Sequence, residues 1–167
     1  MTKRIDGCTG HRPHRLGGFT RQTYSRLRAL ATEYLVDAKP DEVVSGMALG
    51  WDQAFAYAAI DLRIPVTAAI PFDDYETMWP GSSRLEYKKL LAQCENVVIV
   101  TPGPYTDASL LFKRNRWVAD NVTNLAALFD GNPRGGTFQC LLYATSKKPP
   151  VLVENLWERW LGMKNAT

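Results

Sequence analysis

The sequence lacks any apolar run close to the roughly 18 to 20 residues that a membrane-spanning helix needs. Its first residues also lack the apolar stretch of a signal peptide, so we expect a cytoplasmic location and no membrane partner. Cysteine is scarce, because Cys8, Cys94 and Cys140 are widely spaced and form no CxxC pair. This spacing supports neither a zinc ribbon nor a thioredoxin motif, and we expect three reduced, mostly buried thiols.

Two common nucleotide-binding signatures are also missing. No G-x-x-x-x-G-K-[ST] segment occurs, which argues against a Walker-type nucleoside triphosphatase. No G-x-G-x-x-G segment occurs either, so a standard dinucleotide site is not indicated. His11 and His14 are the two histidines and have no third ligand near them in sequence, so we expect no metal site and no resident cofactor.

Positive charge is concentrated at the amino terminus, although the net charge is only +3. Residues 1–28 contain seven Lys or Arg and one acid, and the rest of the chain is slightly acidic. A basic end is suited to contact with phosphate. The alternative is a solvated basic face on the first helix, and both interpretations stay open.

Short β-type runs alternate with helical runs along all 167 residues, of which 46% are apolar. We expect strands at residues 4–8, 42–47, 65–70, 96–100, 123–129 and 150–153. We expect helices at residues 20–36, 50–62, 83–93, 107–121 and 137–145, and a last one carrying Trp157 and Trp160. Ser83 and Glu86 have the spacing of a capping box for the third helix. The alternation predicts one domain over residues 1–167, an α/β Rossmann-like three-layer fold with a mainly parallel sheet of about six strands and helices on both faces.

Glycine-rich loops follow the expected strands, and in this architecture ligands bind at the carboxyl ends of the strands. Gly135, Gly136 and Thr137 precede a helix, where free amides and the helix dipole favour an anion, so they are the strongest phosphate candidate. The segment 46–50 is the second candidate. Asp52, just after it, either accepts ribose hydroxyl bonds or is an acid that favours the helix dipole.

Three further segments are candidates for ligand contact. Thr9, Gly10, His11 and Arg12 form a donor-rich first loop. The aromatic and acidic residues 72–80 either stack a base and hold sugar hydroxyls or pack their aromatic rings on the core. The run 113–117, placed at the start of the fourth helix, either brings Arg114 or Asn115 over the ligand or forms a solvated basic face.

These motifs, taken in order, resemble the YpsA-like branch of the SLOG superfamily over about residues 5–153. They are Thr9-Gly10-His11-Arg12, residues 45–50 with Asp52-Gln53, Ile70-Pro71-Phe72, residues 102–105, residues 114–117 and Gly135-Gly136-Thr137. The superfamily also includes the LOG nucleotide phosphoribohydrolases and the DprA-type DNA-binding proteins. The resemblance implies a Rossmann-like fold with a nucleotide site, and it makes a homodimer a reasonable expectation.

LOG enzymes hydrolyse the N-glycosidic bond of a nucleoside 5′-monophosphate. By resemblance, Arg114 takes the place of a LOG arginine, and Gly135-Gly136-Thr137 matches the LOG glycine loop. Where the LOG pattern has consecutive glutamates, however, this chain has Gln139 and Cys140. A glycosidase normally needs a carboxylate, so either Asp52, Glu76 or Asp120 supplies it or the mechanism differs.

Three functions therefore stay open: a phosphoribohydrolase-like enzyme, a non-catalytic nucleotide sensor or sequestering protein, and, less favoured, a single-stranded nucleic-acid binder. The candidate catalytic residues are Arg114, Glu76 and Asp120. The candidate substrate-binding residues are Thr9, Gly10, His11, Arg12, Gly46, Met47, Gly50, Asp52, Pro71, Phe72, Asn115, Gly135, Gly136 and Thr137. Nucleic acid is the less expected partner because the net charge is small and no long basic stripe follows residue 28.

Overall fold

The computed structural model describes residues 2–166 as alternating strands and helices. The strands are β1 (Ile5–Gly10), β2 (Glu42–Ser45), β3 (Val66–Ile70), β4 (Asn96–Ile99), β5 (Asn124–Leu128) and β6 (Leu152–Asn155). The helices are α1 (Arg21–Ala38), α2 (Trp51–Asp61), α3 (Gly81–Ala92), α4 (Ser109–Asp120), α5 (Gly136–Ser146) and α6 (Trp157–Asn165). A single 3₁₀ turn, Pro13–Arg15, lies between β1 and α1.

All strand pairings in the sheet are parallel, in the order β4-β3-β2-β1-β5-β6. The chain moves outward from β1 to β4 and then returns across the sheet through α4 to place β5 on the other side of β1. The strand order therefore reverses between β1 and β5. In open parallel sheets, the crevice beyond the strand ends at such a reversal is the usual ligand site. The predicted fold class is confirmed.

Helices cover both faces of the sheet, which explains why most residues of the central strands are buried. One layer contains α1, α2, α3 and α6, and the other contains α4 and α5. Every residue of β3 is buried, as expected of a strand covered on both sides. Two apolar clusters form the core, one with Leu27, Phe55 and Trp160 and the other with Val118 and Leu125. Among residues 2–166, no helix has the length and apolarity to cross a membrane.

Close packing over the end of β1 fixes the position of α2. The Trp51 side chain is fully buried, and its Nε1 donates to the Ala126 carbonyl at 3.1 Å. A Cβ on Gly10 would lie 2.6 Å from Cδ1 of Trp51, so only glycine allows this ring to lie over the strand. The first turn of α2 is thereby held against β1 and β5.

Two local expectations are wrong. The helix α3 begins at Gly81, after the extended Pro80, whose carbonyl accepts from Arg84 N at 3.0 Å. Ser83 therefore lies inside the first turn and does not cap the helix, and Glu86 instead accepts a bond from Tyr57 Oη at 3.1 Å. The run 113–117 lies in the middle of α4 and not at its start, because the Asp107 carboxylate accepts from Ser109 N at 2.8 Å and the helix begins there.

Candidate functional site

A pocket of about 400 Å³ opens at the carboxyl edge of the sheet, between the segments that follow β1 and β5. We call it the edge pocket. Its lining contains Thr9, Gly10, His11, Arg12, His14, Arg15, Ala48, Asp52, Ala108, Leu111, Phe112, Arg114, Asn115, Arg134, Gly135, Gly136 and Thr137. Segments from four parts of the chain therefore meet where the strand order reverses.

The amino terminus of α5 presents free amides to the edge pocket. Gly135 has a φ of 90°, and no side chain caps the helix. The amides of Gly136, Thr137 and Phe138 have no hydrogen-bond partner among residues 2–166, whereas Gln139 N donates to the Gly135 carbonyl at 3.1 Å. Unpaired first-turn amides and the helix dipole favour an anion at this position.

The mouth of the edge pocket is basic. Arg12, His14, Arg15 and Arg134 line it and are exposed. None of the three arginines forms an ion pair with any of the residues that the structure describes. Cationic groups that converge on a concave site attract anionic ligands.

Asp52, near the start of α2, is the one acid among the described residues that line the edge pocket, and it is buried. Its Oδ2 accepts from Ala48 N at 3.4 Å, and its Oδ1 lies 3.7 Å from the Cys8 thiol. Burial raises the pKa of Asp52 above its usual value, although Arg114, the Ala48 amide and Arg12 oppose that rise. Its oxygens are placed to accept hydrogen bonds at the floor of the pocket.

Cys8 lies under the edge pocket as a thiol. Burial, reinforced by the nearby Asp52 carboxylate, raises the pKa of Cys8 well above its usual value, so its thiolate form is disfavoured. Cys94 and Cys140 are also free, and burial raises the pKa of each to about 11. None of the three cysteines has the environment of an activated nucleophile.

Arg114 and its neighbour Asn115 tie two glycine loops to α4. The Arg114 Nη1 donates to the Gly46 carbonyl, and its Nε donates to Asn115 Oδ1 at 2.9 Å. Asn115 Nδ2 in turn donates to the Gly136 carbonyl at 3.4 Å. The two loops are therefore held in one arrangement by adjacent side chains of a single helix.

The guanidinium of Arg114 is buried and remains charged. The side chain is only 5% exposed, and its guanidinium lies 5.8 Å from the centre of the Tyr75 ring. Burial opposes its charge, but Tyr75 and Asp52 outweigh that effect and raise the pKa of Arg114. The Tyr75 hydroxyl is itself buried without a hydrogen-bond partner among the described residues.

The segment after β2 packs behind the residues that line the edge pocket. Met47 has a φ of 60° and is fully buried; its amide donates to Ser45 Oγ at 3.1 Å and its carbonyl accepts from Gln53 Nε2 at 3.0 Å. Gly46 is covered by Arg114, and Gly50, with a φ of 95°, lies against the segment 11–13. Gly46, Met47 and Gly50 are therefore not lining residues, and only Ala48 and Asp52 of this region reach the pocket.

The loop after β3 contributes to the core and not to the edge pocket. Phe72 packs against Tyr75 and Tyr105, with ring centres 5.4 and 5.1 Å apart. Pro71 and Phe72 are buried, and neither they nor Glu76 line the pocket. Of the two interpretations of this loop, the structure matches the one in which the aromatic rings pack on the core.

Asp120 is also outside the edge pocket. It is the last residue of α4, whose first turns border the pocket and whose end leads to the start of β5 at the opposite edge of the sheet. Its Oδ1 forms an ion pair with Lys147 and accepts from Tyr143 Oη at 2.9 Å. The structure does not bring Asp120 together with the other candidates.

His11 connects the segments after β1 and β5. Its buried ring lies 6.0 Å from Phe129 and 5.8 Å from Trp157, measured between ring centres. Its Nε2 accepts from the Asp130 amide at 3.2 Å and lies 3.0 Å from Asp130 Oδ1. The Asn132 amide, which donates to the Asp130 carboxylate at 3.0 Å, is the main cause that lowers the pKa of Asp130. The side chain of His11 therefore fixes the entrance to the glycine loop before α5.

Sequence reasoning missed several lining residues. They are His14, Arg15, Ala108, Leu111, Phe112 and Arg134. The α4 members carried a usable signal, since positions 108, 111, 112 and 115 share one helical face at i, i+3, i+4 and i+7 spacing. Arg134 adjoins the glycine pair, and Arg15 belongs to the basic amino-terminal segment.

Comparison with known proteins supports the family suggested by the motifs. The model of the YspA SLOG family (YpsA) matches residues 7–149. YoqJ, an SPbeta prophage-derived protein of Bacillus subtilis (strain 168), is 27% identical over 148 residues, which cover 79% of this chain and 84% of YoqJ.

Two solved structures share the fold. DNA processing protein A from Helicobacter pylori, described for its single-stranded DNA binding mode, superposes with a TM-score of 0.63 at 18% identity, covering 99% of this chain and 75% of that one. The molybdenum cofactor carrier protein MCP from Chlamydomonas reinhardtii superposes with a TM-score of 0.55 at 15% identity, covering 99% and 86%. At these identities, the likeness shows the shared fold alone.

Proposed function

Because the chain belongs to the YspA SLOG family, we propose that its edge pocket binds a phosphorylated ribose compound, that is, a nucleotide or a nucleotide derivative. The observation that carries this proposal is the meeting of three features in one cavity. Free amides begin α5, arginines surround the mouth, and Asp52 is buried in the lining.

In this proposal the phosphate lies at Gly136 and Thr137, where unpaired amides and the Thr137 hydroxyl are available as donors. Arg12 and Arg134 add charge at the mouth. Asp52 accepts hydrogen bonds from the sugar hydroxyls, because its carboxylate is a buried acceptor in a pocket whose other charged residues are basic. The molybdenum cofactor carrier of similar fold is named for a different cargo, so the fold does not select the ligand.

Binding is favoured over hydrolysis of the N-glycosidic bond. A glycosidase needs a carboxyl group beside the reacting carbon, and Asp52 is the one acid in the lining. Glu76 and Asp120 lie elsewhere, so a hydrolytic reaction in this pocket would depend on Asp52 alone. A non-catalytic sensor or sequestering protein needs no such group.

Isothermal titration with adenosine 5′-monophosphate and with adenosine tests the binding proposal. We expect binding of the monophosphate and at least tenfold weaker binding of adenosine, because charge-assisted bonds to phosphate add more than 1.4 kcal/mol. Arg134→Ala should weaken binding of the monophosphate. Arg21→Ala, an exposed arginine at the start of α1, is the matched control and should not. Equal affinities for the two compounds would refute the phosphate site.

Chromatographic analysis of the same mixtures for free adenine decides between binding and turnover. Release that is abolished by Asp52→Asn would establish the enzyme. Binding without release would establish the sensor or sequestering protein.

Single-stranded nucleic acid is the second candidate, favoured by the unpaired arginines Arg12, Arg15 and Arg134 at the mouth of the edge pocket. DNA processing protein A from Helicobacter pylori, which shares the fold, is described for its single-stranded DNA binding mode. Fluorescence anisotropy with a labelled octathymidylate at several salt concentrations tests it. Affinity that falls steeply with salt is expected if the strand binds through its phosphates.

A further inference from the structure

A second cavity, of about 690 Å³, lies on the outer surface between α4 and α5. We call it the outer groove. Phe112, Asn115 and Gly135 line both this groove and the edge pocket, so the two cavities adjoin across these residues. Each falls within the roughly 300–1,000 Å³ typical of sites for small ligands.

The lining of the outer groove is cationic and aromatic. Lys113 and Arg116 contribute positive charge and are both exposed, and none of the described residues that line the groove is Asp or Glu. Phe112 is 40% exposed, and the ring of Tyr143 lies 5.3 Å from the Arg116 guanidinium carbon. Two acids lie beside the lining: Asp107 accepts from the Ser109 amide at 2.8 Å, and Asp120 accepts from the Tyr143 hydroxyl and pairs with Lys147.

This combination is suited to one kind of occupant. Exposed aromatic faces stack on nucleobases, and cations between them pair with the connecting phosphates. Neither Lys113 nor Arg116 forms an ion pair with any of the residues that the structure describes, so an apolar partner would leave both charges without a direct ionic contact. Charge complementarity therefore favours a ligand that carries both phosphate and an aromatic base.

Building on the proposed function of the edge pocket, we propose that the outer groove is a second subsite for the same ligand, which contains two nucleotide units joined through phosphate. The first unit occupies the edge pocket, with its phosphate at the start of α5. The connecting phosphate passes Asn115 and Gly135. The second base lies against Phe112, between Lys113 and Arg116.

Titration with a graded set of ligands tests this inference. The probes are adenosine 5′-monophosphate, a 3′,5′-linked diadenylate with a 5′-phosphate, a pyrophosphate-linked diadenosine compound and an octaadenylate. At least one two-unit ligand should bind roughly tenfold more tightly than the monophosphate, the gain expected from one stacked base. Phe112→Ala should weaken the two-unit ligand, since Phe112 borders both cavities.

The sharpest variant is the double substitution Lys113→Gln/Arg116→Gln, because both side chains line the outer groove and neither lines the edge pocket. It should remove the gain from the second unit while the affinity for the monophosphate stays unchanged. Lys88→Gln/Lys89→Gln on α3, in the opposite helix layer, removes the same charge and should change neither affinity.

The outcomes separate the two proposals. If the monophosphate binds but no two-unit ligand binds more tightly, the outer groove is not a subsite, and the edge pocket proposal stands. If none of the four compounds binds, both proposals fail. An octaadenylate that binds more tightly than either dinucleotide identifies a strand as the source of the two units, and equal binding identifies a free dinucleotide.

A second copy of this chain is the competing occupant, because Leu142 in the groove lining is 53% exposed and apolar. Sedimentation equilibrium of the unmodified protein and of Leu142→Glu decides this point. A dimer that Leu142→Glu converts to a monomer, with no change in the affinity for the two-unit ligand, would assign the groove to the partner subunit and overturn the inference.

Discussion

The guanidinium of Arg114 donates to the main-chain carbonyl of Gly46, although the two residues lie 68 positions apart in the sequence. This bond joins the middle of α4 to the loop that follows β2, and Asn115 makes the matching contact with Gly136. These two contacts, made by Arg114 and Asn115, hold the glycine loops in a fixed arrangement around the edge pocket. Arg114 is thus a positioning residue, whereas the arginines at the mouth are the ones free to meet an anion.

Gly46→Ala should destabilise the protein. A Cβ at this position would lie 2.5 Å from Arg114 Nη1, and the buried guanidinium has little room to move away. Overpacking of this kind typically costs about 1–3 kcal/mol. Urea denaturation measures the change in the free energy of unfolding.

Gly162→Ala is the matched control for that substitution. Gly162 lies within α6, and a Cβ there meets nothing within 4 Å. This control should stabilise the fold by about 0.5–1 kcal/mol, because glycine is unfavourable inside a helix. If both variants lose the same stability, the close approach of Arg114 to Gly46 is not the cause.

The sequence predicts the sheet and the edge at which the loops meet, because alternation with parallel strands brings strand ends together. The sequence does not show which side of α4 faces the sheet. The burial of Arg114 therefore cannot be predicted from it. Asp120 follows Arg114 by six residues, which places it about 9 Å further along the helix at 1.5 Å per residue. Proximity in sequence therefore misleads for residues on the same helix.

Other differences have equally specific physical causes. Gly46 and Gly50 look like phosphate-binding glycines in the sequence, but close packing against Arg114 and the segment 11–13 accounts for them. Phe72 looks like a base-stacking residue, but a cluster of neighbouring aromatic rings buries it. A sequence shows where glycine or an aromatic ring occurs, and only packing decides whether it faces a ligand.

Asp52→Asn should raise the stability of the unliganded protein at neutral pH. The pKa of Asp52 in the folded state lies above its ordinary value of 3.8, so the folded protein binds this proton more tightly than the unfolded chain does. The contribution of Asp52 to the free energy of unfolding is therefore greatest at low pH. It falls as the pH rises from about 3.8 through the pKa that Asp52 has in the folded state.

Chemical denaturation between pH 3.5 and pH 8 checks this prediction for both proteins. The stability difference in favour of Asp52→Asn should grow as the pH rises from about 3.8 through the folded pKa of Asp52 and then become constant. A difference that is constant with pH would show that Asp52 does not titrate abnormally. The same variant should bind adenosine 5′-monophosphate more weakly, since a carboxylate accepts hydroxyl hydrogen bonds better than an amide does.

Tyr34→Phe should lower the free energy of unfolding by about 1.5–3 kcal/mol, the usual range for a hydrogen bond to a charged group. The Tyr34 hydroxyl donates to the fully buried Asp6 at 2.7 Å, and Arg4 holds the same carboxylate at 2.8 and 3.0 Å. Tyr143→Phe removes a similar bond to the half-exposed Asp120 and should cost much less. If Tyr34→Phe and Tyr143→Phe lower the free energy of unfolding equally, the burial of Asp6 does not strengthen its hydrogen bond.

Arg134→Ala and Arg15→Ala should each reduce the salt dependence of binding to octathymidylate, if that strand binds. Each phosphate contact contributes about 0.7 to the slope of log affinity against log salt for single strands. Arg21→Ala should leave the slope unchanged. Anisotropy titrations at four salt concentrations give the slopes, and identical slopes for all variants would place the strand away from the edge pocket.

The most direct test of the phosphate site is an NMR titration of the ¹⁵N-labelled protein with adenosine 5′-monophosphate and, separately, with adenosine. The amides of Gly136, Thr137 and Phe138 should shift strongly with the monophosphate and hardly at all with adenosine. If these three amides stay unmoved while resonances elsewhere respond to the monophosphate, the start of α5 does not hold the phosphate and the account of the edge pocket is wrong.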